Sequence, residues 1–185
     1  GPTMWAARLW WQLRQLGFDA LVLDGGFRKW RAEVRPETAE PTVHLPATLT
    51  PHPRPELLAT KQDVLTLLEG GGACLLNAVS REQHRGESPQ HAGRPGHIPT
   101  SVNVPFDAVL DPATNAYLPA ERLRELFAEQ GAVAGRRVVT YCGGAIAATS
   151  AALALHLAGV EDVAVYDGSL REWTADPGLP LVTGD

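Results

Sequence analysis

Val138-Val139-Thr140-Tyr141-Cys142-Gly143-Gly144-Ala145-Ile146-Ala147-Ala148-Thr149-Ser150 is the stretch whose reading decides the fold. It opens as a β-branched run, breaks at two glycines, and continues as a small-residue helical run from Ala147 to Ala158. A strand, a tight loop and a helix N-terminus in that order predict an α/β unit. In such units ligands sit beyond the C-terminal ends of parallel strands, which is where Cys142 falls.

The same order puts a thiol at the mouth of a cradle of backbone N–H groups with a helix dipole behind it. That cradle stabilises a thiolate, the form of cysteine that acts as a nucleophile. Glycines directly after a strand weaken packing, and they suit a place where backbone must approach something closely. Cys74 differs: it lies inside the apolar run Ala73-Cys74-Leu75-Leu76 and reads as an inert core residue.

Outward from the Cys142 loop the pattern alternates. Lys61 to Leu68 reads as a helix, Ala73 to Asn77 as a strand, and Arg81 to Arg85 as a short helix capped by Ser80. Ser101 to Val104 reads as a strand, Ala120 to Glu129 as a helix and Val163 to Tyr166 as a strand. The expected architecture is a mostly parallel central sheet flanked by helices.

The chain also repeats itself at an offset of about 143 residues, with Asp24-Gly25-Gly26-Phe27-Arg28-Lys29-Trp30 matching Asp167-Gly168-Ser169-Leu170-Arg171-Glu172-Trp173. Each copy reads as a helix, a glycine C-cap (Gly17, Gly159), a short buried strand and an Asp-Gly turn. Residues 1–36 are therefore expected to be the C-terminal remnant of a first, partial copy, with most of that copy missing upstream. The proline-rich segment 37–56 reads as an extended linker, and 57–185 as the complete unit. The remnant is too small to fold alone, so Trp5, Trp10, Trp11, Phe18 and Phe27 should pack on the complete unit or drive dimerisation.

A net charge of −5 without a Lys/Arg cluster argues against a nucleic-acid partner. No apolar run reaches membrane-span length, so no membrane partner is expected. Two separated cysteines make neither a disulfide framework nor a zinc motif and suit a reducing cytoplasm. The six histidines have no ligand spacing, so neither a metal nor another cofactor is expected.

Four stretches together resemble the rhodanese superfamily, the tandem-domain thiosulfate/3-mercaptopyruvate sulfurtransferases in particular. They are Leu76 to Ser80 with Arg85-Gly86-Glu87, Gly96-His97-Ile98-Pro99 with Val102 to Pro105, the loop Tyr141 to Ala147, and Tyr166 to Trp173. The resemblance implies that Cys142 takes a sulfane sulfur from thiosulfate or 3-mercaptopyruvate and carries it as a persulfide. It would then release the sulfur to cyanide or a thiol. The loop Gly143, Gly144, Ala145, Ile146, Ala147 and Ala148 would hold the thiolate and the persulfide anion. The remnant would belong to a normally non-catalytic first repeat. A degenerate module serving as sulfur carrier or interaction domain is the alternative reading.

Three positions depart from the family pattern. Ala145 stands where glycine is usual, and a positive φ there would cost alanine on the order of 1 kcal/mol. Asn77-Ala78-Val79 replaces an Asp-x-Arg sequence. The arginine that commonly grips the donor's anionic group would fall near Gln83, leaving Arg85, His84, Asn77 and Arg94 as candidate substitutes. His97, Asp167 and Trp173 read as structural. Thiosulfate-preferring members of the family tend to carry cationic residues directly after the cysteine, so by this resemblance the uncharged Gly143-Gly144 pair leans away from efficient thiosulfate use. A phosphatase of the same fold would need an arginine where Ala148 stands, and no Arg or Lys occurs from Cys142 to Leu170.

Overall fold

A computed structural model describes residues 3–185; Gly1 and Pro2, at the head of the expected remnant, lie outside the described residues. Five parallel strands form one sheet in the order β1-β5-β4-β2-β3. They are β1 (Leu58–Ala59), β2 (Ala73–Asn77), β3 (Val102–Asn103), β4 (Arg137–Tyr141) and β5 (Val163–Tyr166). The register sets Asn77 beside Tyr141 across β2 and β4, so both strands end at one edge and their loops emerge together.

The sheet has helices around it because its strands are apolar on both faces: Cys74 to Asn77, Val138 to Tyr141 and Val163 to Tyr166 are all buried. Helix α3 (Lys61–Gly70) starts at a capping box in which the side chains of Thr60 and Asp63 each accept from the other's backbone N–H. Helix α4 (Arg81–Arg85) has the same device between Ser80 and Gln83. Helix α5 (Ala120–Glu129) buries Leu123 and Phe127. Helix α6 (Ile146–Leu157) is buried from Ala148 to Leu155, and its alanines let it lie close against β4, β5 and α5. Helix α7 (Ser169–Trp173) closes the fold with Trp173 in the core.

The N-terminal helix α1 (Thr3–Gln15) packs against α6 and buries Ala7, Trp10 and Trp11. Thr3 Oγ1 donates to the Asn115 carbonyl at 2.9 Å, and the Tyr117 N–H donates to Asp24 Oδ1 at 2.8 Å, which ties this segment to the loop before α5. Helix α2 (Gly26–Ala32) follows. One expectation needs correction. The buried strand expected before Asp24 does not form: residues 18–23 pair with no strand, and Leu21 is 101% exposed. A strand needs a partner for its backbone groups, and no strand lies beside this segment among the described residues. Of the aromatic residues of this segment, Trp10 and Trp11 are buried, while Trp5 and Phe27 are more than half exposed. No helix among the described residues is long and apolar enough to cross a membrane.

Candidate active site around Cys142

Cys142 follows β4 immediately and is 4% exposed. Its surroundings are fixed from both sides in sequence. Thr140 Oγ1 on β4 donates to the Ala148 carbonyl at 3.1 Å, binding the strand to the first turn of α6. The Cys142 N–H donates to Ser169 Oγ at 3.2 Å, and the Ser169 hydroxyl donates to the Tyr166 carbonyl at 2.9 Å. Leu170 N–H donates to the Cys142 carbonyl at 2.9 Å and Arg171 N–H to the Gly143 carbonyl at 3.0 Å. The head of α7 therefore clamps the cysteine loop.

The first backbone hydrogen bond of α6 runs from Thr149 N–H to the Ala145 carbonyl at 3.1 Å. Among the described residues, none of the N–H groups from Gly143 to Ala148 donates to a protein oxygen. These are the orphan donors of a helix N-terminus, extended by the two glycines before it. Ala145 is buried and has φ 64, the left-handed conformation that the glycine-favouring pattern implied. Ser169 is also left-handed, with φ 50. Two strained residues thus flank Cys142, and such strain persists where the surrounding structure over-determines it.

Cys142, Gly143 and Gly144 floor an open groove of about 350 Å³. Val79 and Phe106, together with Met4 and Trp5 from α1, supply apolar lining. Two polar side chains complete it, Gln83 from α4 and Arg171 from α7. Gln83 Nε2 donates to the Gln90 carbonyl at 3.1 Å, and its Oε1 accepts from Ser80 N–H at 3.3 Å. A Cβ placed on Gly144 would lie 3.7 Å from Arg171 Cζ, so the guanidinium stands directly over the loop.

The sequence-derived site residues divide. Cys142, Gly143, Gly144, Ile146 and Ala147 line the groove together, whereas Ala145 and Ala148 are fully buried and do not line it. Arg85, His84, Asn77 and Arg94 do not line the groove. Arg85 pairs with Asp185 at 2.8 Å. Arg94 Nη2 donates to the Asp176 and Leu179 carbonyls, both at 2.9 Å, and so holds the C-terminal tail.

Asn77 is fully buried; its Oδ1 accepts from Val79 N–H at 3.2 Å, leaving Nδ2 to donate to His84 Nδ1 at 3.1 Å. A ring nitrogen facing an amide donor must be unprotonated. Burial, reinforced by the neighbouring His97, lowers His84 to about 4. His97 stacks on it at 3.6 Å between ring centroids and donates from Nδ1 to the His84 carbonyl at 2.7 Å. Asp167 forms an ion pair with Arg8. Cys74 is buried away from the groove, and burial pushes its thiol up.

Sequence reasoning did not single out Arg171. It stands far along the chain from Cys142, and only the clamp between α7 and the loop brings it back.

A family profile described as rhodanese-like domain matches residues 60–176. The chain is 34% identical over 173 residues to the 3-mercaptopyruvate sulfurtransferase of Mus musculus, covering 91% of this chain and 57% of that protein. It is 35% identical over 175 residues to the thiosulfate sulfurtransferase of Rattus norvegicus, covering 92% of this chain and 59% of that protein. It thus spans little more than half the length of these curated relatives. Among solved structures, wild-type EanB superposes with a TM-score of 0.87 over 98% of this chain and 45% of that one, at 23% identity, a likeness of fold.

Proposed function

Because the chain belongs to the rhodanese-like family, we propose that it is a sulfurtransferase that moves a sulfane sulfur through a persulfide on Cys142. The observation that carries this reading is the position of the thiol. It lies at the end of a central parallel strand, on the floor of a groove, at the mouth of consecutive unpaired N–H groups.

The chemistry follows from that position. The Cys142 thiolate attacks the outer sulfur of a donor, thiosulfate or 3-mercaptopyruvate. A new S–S bond forms on Cys142 while the donor's S–S or C–S bond breaks. The bonding pair departs with sulfite, or with the pyruvate enolate, which takes a proton from water. The terminal sulfur of the persulfide bears the negative charge, and the N–H groups of Gly143 to Ala148 stabilise it in place of water. A nucleophilic acceptor, cyanide or a thiol, then attacks that outer sulfur and returns the electron pair to Cys142. Only cysteine among these residues can both accept the sulfur and leave again as a thiolate.

The test is thiocyanate formation from thiosulfate or 3-mercaptopyruvate with cyanide. The parent protein should turn over with at least one donor, and Cys142→Ser should not. Equal turnover by both proteins would refute the proposal.

A further inference from the structure

Among the described residues, the groove carries one cationic side chain. Arg171 lines it together with Cys142, while Gln83 occupies the wall on α4. The other arginines considered for the donor's charge are engaged elsewhere, Arg85 with Asp185 and Arg94 with backbone carbonyls of the tail. Arg8 is paired with Asp167. Among the described residues no carboxylate forms an ion pair with Arg171. Its neighbour Glu172 is turned away, its Oε2 accepting from Tyr166 O–H at 2.7 Å.

The base of the Arg171 side chain is fixed by the hydrogen bond from its N–H to the Gly143 carbonyl at 3.0 Å. The guanidinium lies against the Gly144 position, with Cζ and Nη2 both 3.7 Å, ordinary contact distance, from where a Cβ would stand. We propose that Arg171 receives the anionic group of the sulfur donor and so selects donors whose sulfonate or carboxylate lies close to the transferred sulfur. The inference rests on the proposed sulfur transfer at Cys142 and adds to it the residue that receives the donor's charge.

The physical case is a division of labour. The N–H groups of the loop can satisfy only the sulfur that they surround. The second charge of a short anionic donor needs its own partner, and the apolar lining from Val79, Phe106, Met4 and Trp5 offers it none. A guanidinium presents a planar fork that fits two oxygens of a sulfonate or carboxylate at once. Lysine in its place would keep the charge and lose the fork.

The experiment separates this inference from the sulfurtransferase reading by using alkylation as well as turnover. Iodoacetate and iodoacetamide deliver the same carbon to the thiol and differ in charge. Their rates are read at the Cys142 peptide by mass, for the parent, Arg171→Ala, Arg171→Gln and Arg171→Lys. The ratio of the iodoacetate rate to the iodoacetamide rate should fall about tenfold in the alanine and glutamine variants and less in the lysine variant. For thiosulfate or 3-mercaptopyruvate turnover, KM should rise by a similar factor with kcat changing less. A ratio unchanged within about twofold in both neutral variants would overturn the role of Arg171, whether or not the protein transfers sulfur. A changed ratio in a protein that forms no persulfide would retain Arg171 as an anion site and reject the sulfurtransferase reading. The iodoacetamide rate and the thermal unfolding midpoint of each variant distinguish loss of the guanidinium from loss of the fold.

Discussion

The backbone N–H of Cys142 donates to Ser169 Oγ at 3.2 Å, so a residue at the head of α7 holds the proposed nucleophile. The same hydroxyl donates to the Tyr166 carbonyl, and Ser169 is fully buried. Ser169→Ala leaves a buried donor and a buried acceptor without partners. It should destabilise the protein by about 1–3 kcal/mol and speed alkylation of Cys142. Urea unfolding and iodoacetamide kinetics check both effects.

Ala145 gives a contrasting prediction. Glycine there relieves about 1–2 kcal/mol of left-handed strain. It loses about 0.8 kcal/mol of methyl burial and about 0.4–1 kcal/mol through the greater freedom of the unfolded chain. These terms nearly cancel, so Ala145→Gly should change stability by less than about 1 kcal/mol. Ala145→Val adds bulk at a fully buried position with φ 64, where a β-branched residue fits badly. It should cost more than about 2 kcal/mol. Denaturant midpoints for the two variants measure the difference.

The His84 environment predicts an acid limit on stability. Burial first, and then the neighbouring His97, lower His84 from 6.5 to about 4 in the folded protein. The unfolded chain therefore binds more protons between these values. The contribution of the neutral ring is fully present above about pH 6.5 and is lost as pH falls toward about 4. The loss is on the order of 2–3 kcal/mol. Unfolding free energy should fall across that window in the parent, and His84→Gln should flatten this part of the profile.

The fold was legible in the sequence wherever hydrophobic pattern and punctuation agreed. The α5 range Ala120–Glu129 and the β5 range Val163–Tyr166 follow from pattern to the residue, and Cys142 at the end of a buried strand follows from the β-branched run before it. The strand expected before Asp24 has the same apolar pattern as β5, yet strand formation depends on a neighbour that pattern cannot supply. Arg85 and Arg94 are candidates by their nearness to Gln83 along the chain, but their side chains are drawn to the C-terminal tail. Arg171 reaches the site through tertiary structure, which local spacing does not encode. The strain at Ser169 did leave a signal. Its counterpart in the repeat is Gly26, with φ 61, so the same backbone conformation recurs with glycine in one copy and serine in the other.

The most direct measurement of the central claim is the intact mass of the protein after incubation with thiosulfate and, separately, with 3-mercaptopyruvate, beside Cys142→Ala. A gain of about 32 Da on the parent with at least one donor, lost on cyanide treatment and absent from the variant, is the predicted result. No gain with either donor from a Cys142 that alkylates readily, or an equal gain on the variant, would contradict persulfide chemistry at Cys142.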